Sequence, residues 1–157
     1  MTTDDPTMIE LDHFYPHPPA KVWRALTTPK LMAQWMMQST GFEPIVGTVF
    51  HMRGRAVPQT GFSGEIRCEV LEVVAPERLS MSWNDARADT DTGWVITWRL
   101  RPEGTGTRML FTHTGFDPDD PTSQLSRTIM RGGWPGMLER LAITLEAPAK
   151  SAPGPTS

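Results

Sequence analysis

A chain of 157 residues and 17.5 kDa is near the modal size of one domain, and 38% hydrophobic residues is too many for disorder. Fifteen Lys+Arg against eighteen Asp+Glu give a net charge of −3, without the cationic surplus that nucleic-acid binding needs. No apolar run reaches the ~20 residues of a membrane span, and the single Cys68 excludes an internal disulfide and a thiolate metal cluster.

The opening Met1-Thr2-Thr3-Asp4-Asp5 has neither the basic flank nor the apolar stretch of a secretory signal, which predicts a cytoplasmic protein. Residues 1–7 and 148–157 are polar or rich in Ala, Pro and Ser, and read as flexible tails around one domain over 8–147. Within it, Ile9-Glu10-Leu11-Asp12 alternates as a strand running to about Tyr15. Pro16, Pro18 and Pro19 stop it, and Pro19 is well placed to start a short helix with Val22, Trp23 and Leu26 on one face. Thr28 is the expected N-cap of a second short helix carrying Leu31, Met32 and Trp35.

From Phe42 the period changes to two. Phe50 and Met52 share one strand face, and Ile66, Cys68 and Val70 alternate with Glu65, Arg67 and Glu69. The phase slips beyond Val70, which predicts a bulge near Val70-Leu71. Leu79, Met81 and Trp83 alternate with Ser80, Ser82 and Asn84. Trp94, Ile96, Trp98 and Leu100 alternate with Val95, Thr97, Arg99 and Arg101, which read as a solvated face. A turn at Pro102–Gly106 joins this strand to one carrying Met109, Phe111 and His113. Pairing Trp98 opposite Phe111 puts Ile96 opposite His113 and gathers the larger apolar groups on one side.

The end of the domain is helical. Met130, Trp134, Leu138, Leu141 and Leu145 form one stripe, and Gly132, Gly133, Pro135 and Gly136 predict a kink or restart within it. The order is therefore strand, two short helices, about six antiparallel strands and one long helix. That is an α+β helix-grip architecture: a curved antiparallel sheet around a C-terminal helix, with room for a cavity between them.

The motifs carry a resemblance. Pro19 to Thr27 followed by Pro29, Leu31 and Trp35 resembles the opening of START-like (SRPBCC) proteins. The nearer likeness is to the subgroup similar to the C-terminal domain of the activator of heat-shock-protein-90 ATPase. Gly64-Glu65-Ile66, Pro76-Glu77-Arg78-Leu79, Trp83, Gly106-Thr107 and Gly133-Trp134-Pro135-Gly136 match its later segments, so the likeness spans residues 9 to 146. It implies the helix-grip fold, a stress-response association and a ligand chamber between helix and sheet. Its members bind lipids, hormones, polyketides and antibiotics, and some catalyse cyclisation or dehydration there.

Few residues carry chemistry on their own. His113 sits on a strand with Met109 and Phe111, where desolvation would pull its pKa down. It is either an acid/base or a structural histidine bonded to a backbone carbonyl, and a lone imidazole without a second group is not a mechanism. His13 and His17 are four apart, but the prolines deny them a helix; Asp89–Gly93 lacks the ligands of a calcium loop. Arg53 and Arg99 fall on wet faces, and no motif implies a metal or a cofactor.

The concave positions Trp35, Phe50, Met52, Cys68, Met81, Trp83, Ile96, Trp98, Phe111, His113, Met130, Trp134 and Leu138 are the expected ligand contacts. The leading expectation is a binding module for a small apolar or aromatic molecule. The alternatives are a polyketide cyclase- or dehydratase-like enzyme using His113, and a chaperone- or protein-interaction module without a ligand; a homodimer is compatible with each.

Overall fold

The computed structural model describes residues 5–89 and 91–146, so residues 1–4 of the first predicted tail and all of the second, 148–157, lie outside them. Elements follow the chain as β1 (Met8–Tyr15), α1 (Pro19–Thr27), α2 (Pro29–Trp35), β2 (Ser39–Thr40), β3 (Val49–Arg53), β4 (Glu65–Val74), β5 (Arg78–Ser82), β6 (Asn84–Asp85), β7 (Val95–Glu103), β8 (Gly106–Thr114) and α3 (Pro121–Glu146). The described residues hold eight strands where about seven were expected, and two of the eight, β2 and β6, are two-residue pairings that the alternation did not show.

The antiparallel sheet runs β1-β8-β7-β5-β4-β3-β2, with β6 paired to β4. Trp98 lies opposite Phe111 and Ile96 opposite His113, the register that collects apolar side chains on the concave face. The pairing of β4 with β5 shifts between Val70 and Glu72, so the break in alternation is a bulge. It bends the strand and helps the sheet curl toward the long helix.

Helix α3 buries Trp134, Leu138, Leu141 and Leu145 against that concave face. It runs unbroken from Pro121 to Glu146, so the expected restart does not occur. Pro135 removes only one backbone donor, and tertiary packing on both sides holds the helix across that gap. Tyr15 donates its hydroxyl to the Leu138 carbonyl at 2.9 Å, and Arg140 Nε donates to the Trp35 carbonyl at 3.3 Å. Trp35 Nε1–H in turn reaches the Ala25 carbonyl at 2.9 Å, so α1, α2 and α3 are tied by polar bonds as well as by apolar contact.

Three local expectations need correction. Thr28 occupies the N-cap of α2, yet its side chain makes no capping bond. Thr97 is buried rather than solvated. Ser80 and Thr97 sit on the outer face of central strands and share a 2.9 Å hydroxyl bond, shielded by flanking side chains. Residues 5–7, assigned to a frayed tail, form a turn in which Thr7 donates twice to Asp5 and accepts from the Gly115 and Phe116 amides.

Candidate functional site

The N-terminal half of α3 and the sheet diverge at the end where β4, β5 and β7 meet their loops. Between them lies a cavity of about 630 Å³, within the ~300–1,000 Å³ usual for small-molecule sites. The helix contributes Ser126, Ile129, Met130, Gly133, Trp134 and Met137; the sheet side contributes Ile66, Trp83 and Trp94; Met37, Val57 and Phe62 close it from the third side. Most of the apolar part of the wall is aromatic rings and thioethers, soft groups that adapt to apolar guests. Arg55, Asp85, Asp91, Asp117 and Asp120 stand at the rim.

Two polar clamps shape this mouth. The segment between β3 and β4 folds into a small hairpin, with Val57 and Phe62 exchanging backbone bonds of 3.0 and 3.2 Å and Gly54 N–H bonding the Gly64 carbonyl at 2.7 Å. Gly64 takes φ +97, and an added Cβ there would press on the Ala56 backbone, so the turn requires glycine. Asp85 fastens the hairpin to β6, accepting from Ser63 N–H at 2.8 Å and Ser63 Oγ at 2.5 Å. Partial desolvation raises the Asp85 pKa, but the bonds from Ser63 and from the Arg87 amide outweigh it and hold the carboxyl below its ordinary range. On the other side Thr92 Oγ1 donates to the Trp83 carbonyl at 2.7 Å, and Trp94 N–H donates to Thr92 Oγ1 at 2.9 Å. Asp85 is thus structural, although it borders the cavity.

Of the thirteen concave positions expected to meet a ligand, Trp83, Met130 and Trp134 line this cavity. Trp35, Phe50, Met52, Cys68, Met81, Ile96, Trp98, Phe111, His113 and Leu138 lie in the packed core beneath it, each 3% exposed or less. Alternation identified the buried face correctly, but a buried face is mostly core. Met37, Val57, Phe62, Trp94 and Met137 were missed because they sit on loops or at the flank of the helix stripe. The clustering of apolar residues among Gly, Pro and Thr between Gly54 and Gly64 was the signal that could have found two of them.

His113 is fully buried, and its partner is a side chain rather than a backbone carbonyl. Trp134 Nε1–H donates to His113 Nδ1 at 3.1 Å. An indole nitrogen only donates, so Nδ1 must carry a lone pair and the neutral ring holds its proton on Nε2. Burial pulls the pKa down from 6.5 to about 3, and among the described residues Nε2 has no hydrogen-bond partner. The ring packs against Phe116 at 4.4 Å and Trp94 at 4.9 Å between centroids. Cys68 is equally buried, and burial pushes its thiol pKa up, the reverse of a nucleophile. Elsewhere His17 Nε2 lies 3.1 Å from Glu146, and His13 stacks on Tyr15 at 4.3 Å, so the two histidines have separate surroundings. Among the described residues no group of His, Cys, Asp and Glu could hold a metal, and no helix is long and apolar enough to cross a membrane.

A curved antiparallel sheet closed on a long C-terminal helix, with an apolar cavity at the open end, defines a START-like domain of the α+β helix-grip class. More narrowly, the chain belongs to the family described as activator of Hsp90 ATPase homolog 1-like protein, which matches residues 16–146. Protein MLL2253 from Mesorhizobium loti is 33% identical, with a TM-score of 0.76 over 88% of this chain and 96% of its own. The Aha1 dimer from Colwellia psychrerythraea shares the fold at 18% identity and TM-score 0.71, over 88% of this chain and 96% of its own. DynU16, from the dynemicin biosynthetic locus, aligns at 23% identity and TM-score 0.71 over 92% of this chain but 48% of its own. No curated protein sequence matches the chain.

Proposed function

We propose that this protein is a small-molecule-binding START-like domain that holds an aromatic or apolar ligand between the sheet and the N-terminal half of α3. One observation carries the reading: a cavity of about 630 Å³ walled by Trp83, Trp94, Trp134, Phe62 and several methionines. Aromatic side chains gain from offset or edge contacts with a flat guest, beyond the area they bury. The enzyme reading has no comparable support, since His113 is held behind Trp134 and a base with a pKa near 3 takes up little proton at neutral pH.

Titration with aromatic polycycles should quench indole fluorescence and raise the melting temperature by mass action. A broad set of aromatic, fatty-acid and polyketide-like compounds that moves neither signal would sink the reading. Pairing of two copies is a secondary proposal. Ile45, Val46 and Val49 are 57%, 60% and 45% exposed, and a protein of the same fold is described as a dimer. Sedimentation analysis of the native protein and of an Ile45→Asp/Val46→Asp variant tests it, and a native monomer at every concentration would refute it.

A further inference from the structure

Trp134 belongs to two environments at once. Its indole lines the cavity, and the same ring packs on Phe111 at 4.4 Å, on Trp83 at 5.5 Å and on Trp98 at 6.4 Å between centroids. Its hydrogen bond to His113 Nδ1 at 3.1 Å is the polar contact that selects one orientation of this ring. Ring packing alone tolerates several tilts, whereas an N–H directed at a single buried acceptor does not.

The acceptor is well suited to that task. His113 is 0% exposed and stays neutral, so Nδ1 keeps its lone pair across the physiological range. If that lone pair were absent, the Trp134 N–H would be a buried donor with nothing to bond. Such a group costs free energy until it finds water or another partner. The nearest relief is the cavity itself, which the indole already borders. Turning the N–H toward the cavity would draw the ring away from Phe111 and Trp98 and lengthen the chamber toward the core.

We propose that His113 is a positioning residue: by fixing the Trp134 indole across the inner end of the cavity it sets the depth of the site, and therefore the ligand length. Loss of that contact should then shift the preference of the site toward longer fused aromatics. This rests on the ligand-binding reading above.

The test compares naphthalene- and pyrene-based probes, with two and four fused rings, on native protein, His113→Leu and His113→Asn. The Trp134 indole N–H is followed in the proton–nitrogen spectrum without ligand and assigned with Trp134→Phe. In native protein this signal should be shifted by its bond and slow to exchange with water. In His113→Leu it should move and exchange quickly, and the ratio of pyrene to naphthalene affinity should rise ~3–10-fold, the scale of one net hydrogen bond. His113→Asn keeps an oxygen acceptor near the Nδ1 position and should restore both readouts toward native.

An unchanged affinity ratio in His113→Leu, with native protein binding at least one probe, overturns the positioning role alone. Native protein that binds neither probe overturns the proposal, whereas the ligand-binding reading falls only if the broader set of compounds also fails. If His113→Leu does not fold, His113→Phe replaces it with a ring that lacks an acceptor. A Trp134 N–H that exchanges rapidly in native protein refutes the proposal without any variant.

Discussion

Moving the solution from pH 7 to pH 5 should destabilise this protein through His113. In the folded state the ring is buried and its pKa lies near 3, against 6.5 for an exposed histidine. Above about 6.5 neither state holds the extra proton, so this group makes no pH-dependent contribution. Below it the unfolded chain takes up a proton that the folded protein refuses, and stability falls as pH falls, by up to ~1.4 kcal/mol per pH unit. Between pH 7 and 5 the loss should be about 2 kcal/mol. The depressed carboxyls of Glu65 and Asp85 lose their stabilising contribution at lower pH, as their unfolded counterparts begin to take up protons. Urea unfolding at the two pH values, followed by tryptophan fluorescence, measures the change. His113→Asn removes the titrating group while leaving those carboxyls in place, so the difference in pH dependence between the two proteins isolates the histidine. Agreement of the two to within ~0.5 kcal/mol would mean that folded His113 titrates like an exposed residue, and the account of its burial would be wrong.

Replacing Leu141, which is fully buried on the face of α3 toward the sheet, by Ala should cost ~2–5 kcal/mol in urea unfolding. Gly133 borders the cavity, and an added Cβ there meets nothing within 4 Å. Gly133→Leu should therefore leave stability unchanged or raise it by ~0.5–1 kcal/mol through helix propensity, yet weaken binding of an aromatic probe by filling the mouth. Cys68 is 0% exposed, and burial pushes its thiol pKa up, so a thiol reagent should label native protein only at the rate of unfolding. Rapid stoichiometric labelling at neutral pH would contradict that placement.

Much of the fold was legible locally because periodicity follows from backbone geometry. Alternation in β7 and β8 named the concave face and fixed the Trp98–Phe111 register, since a slip by one residue would turn every apolar side chain outward. The phase change after Val70 announced the bulge, and the stripe from Trp134 to Leu145 announced the gripped helix. What alternation could not separate is a side chain packed in the core from one that borders a cavity, because both are apolar and both point inward. That distinction depends on where α3 leaves the sheet and on how the Gly54–Gly64 hairpin folds back under Asp85, both of which join residues distant in sequence. The burial of Ser80 and Thr97 likewise follows from their central place in the sheet rather than from their own polarity. His113 shows the division most clearly: its inward direction was written in the strand period, whereas its partner, Trp134, lies 21 residues away on another element. Only the packing of α3 onto β8 brings the indole to the imidazole, and that contact decides which nitrogen holds the proton.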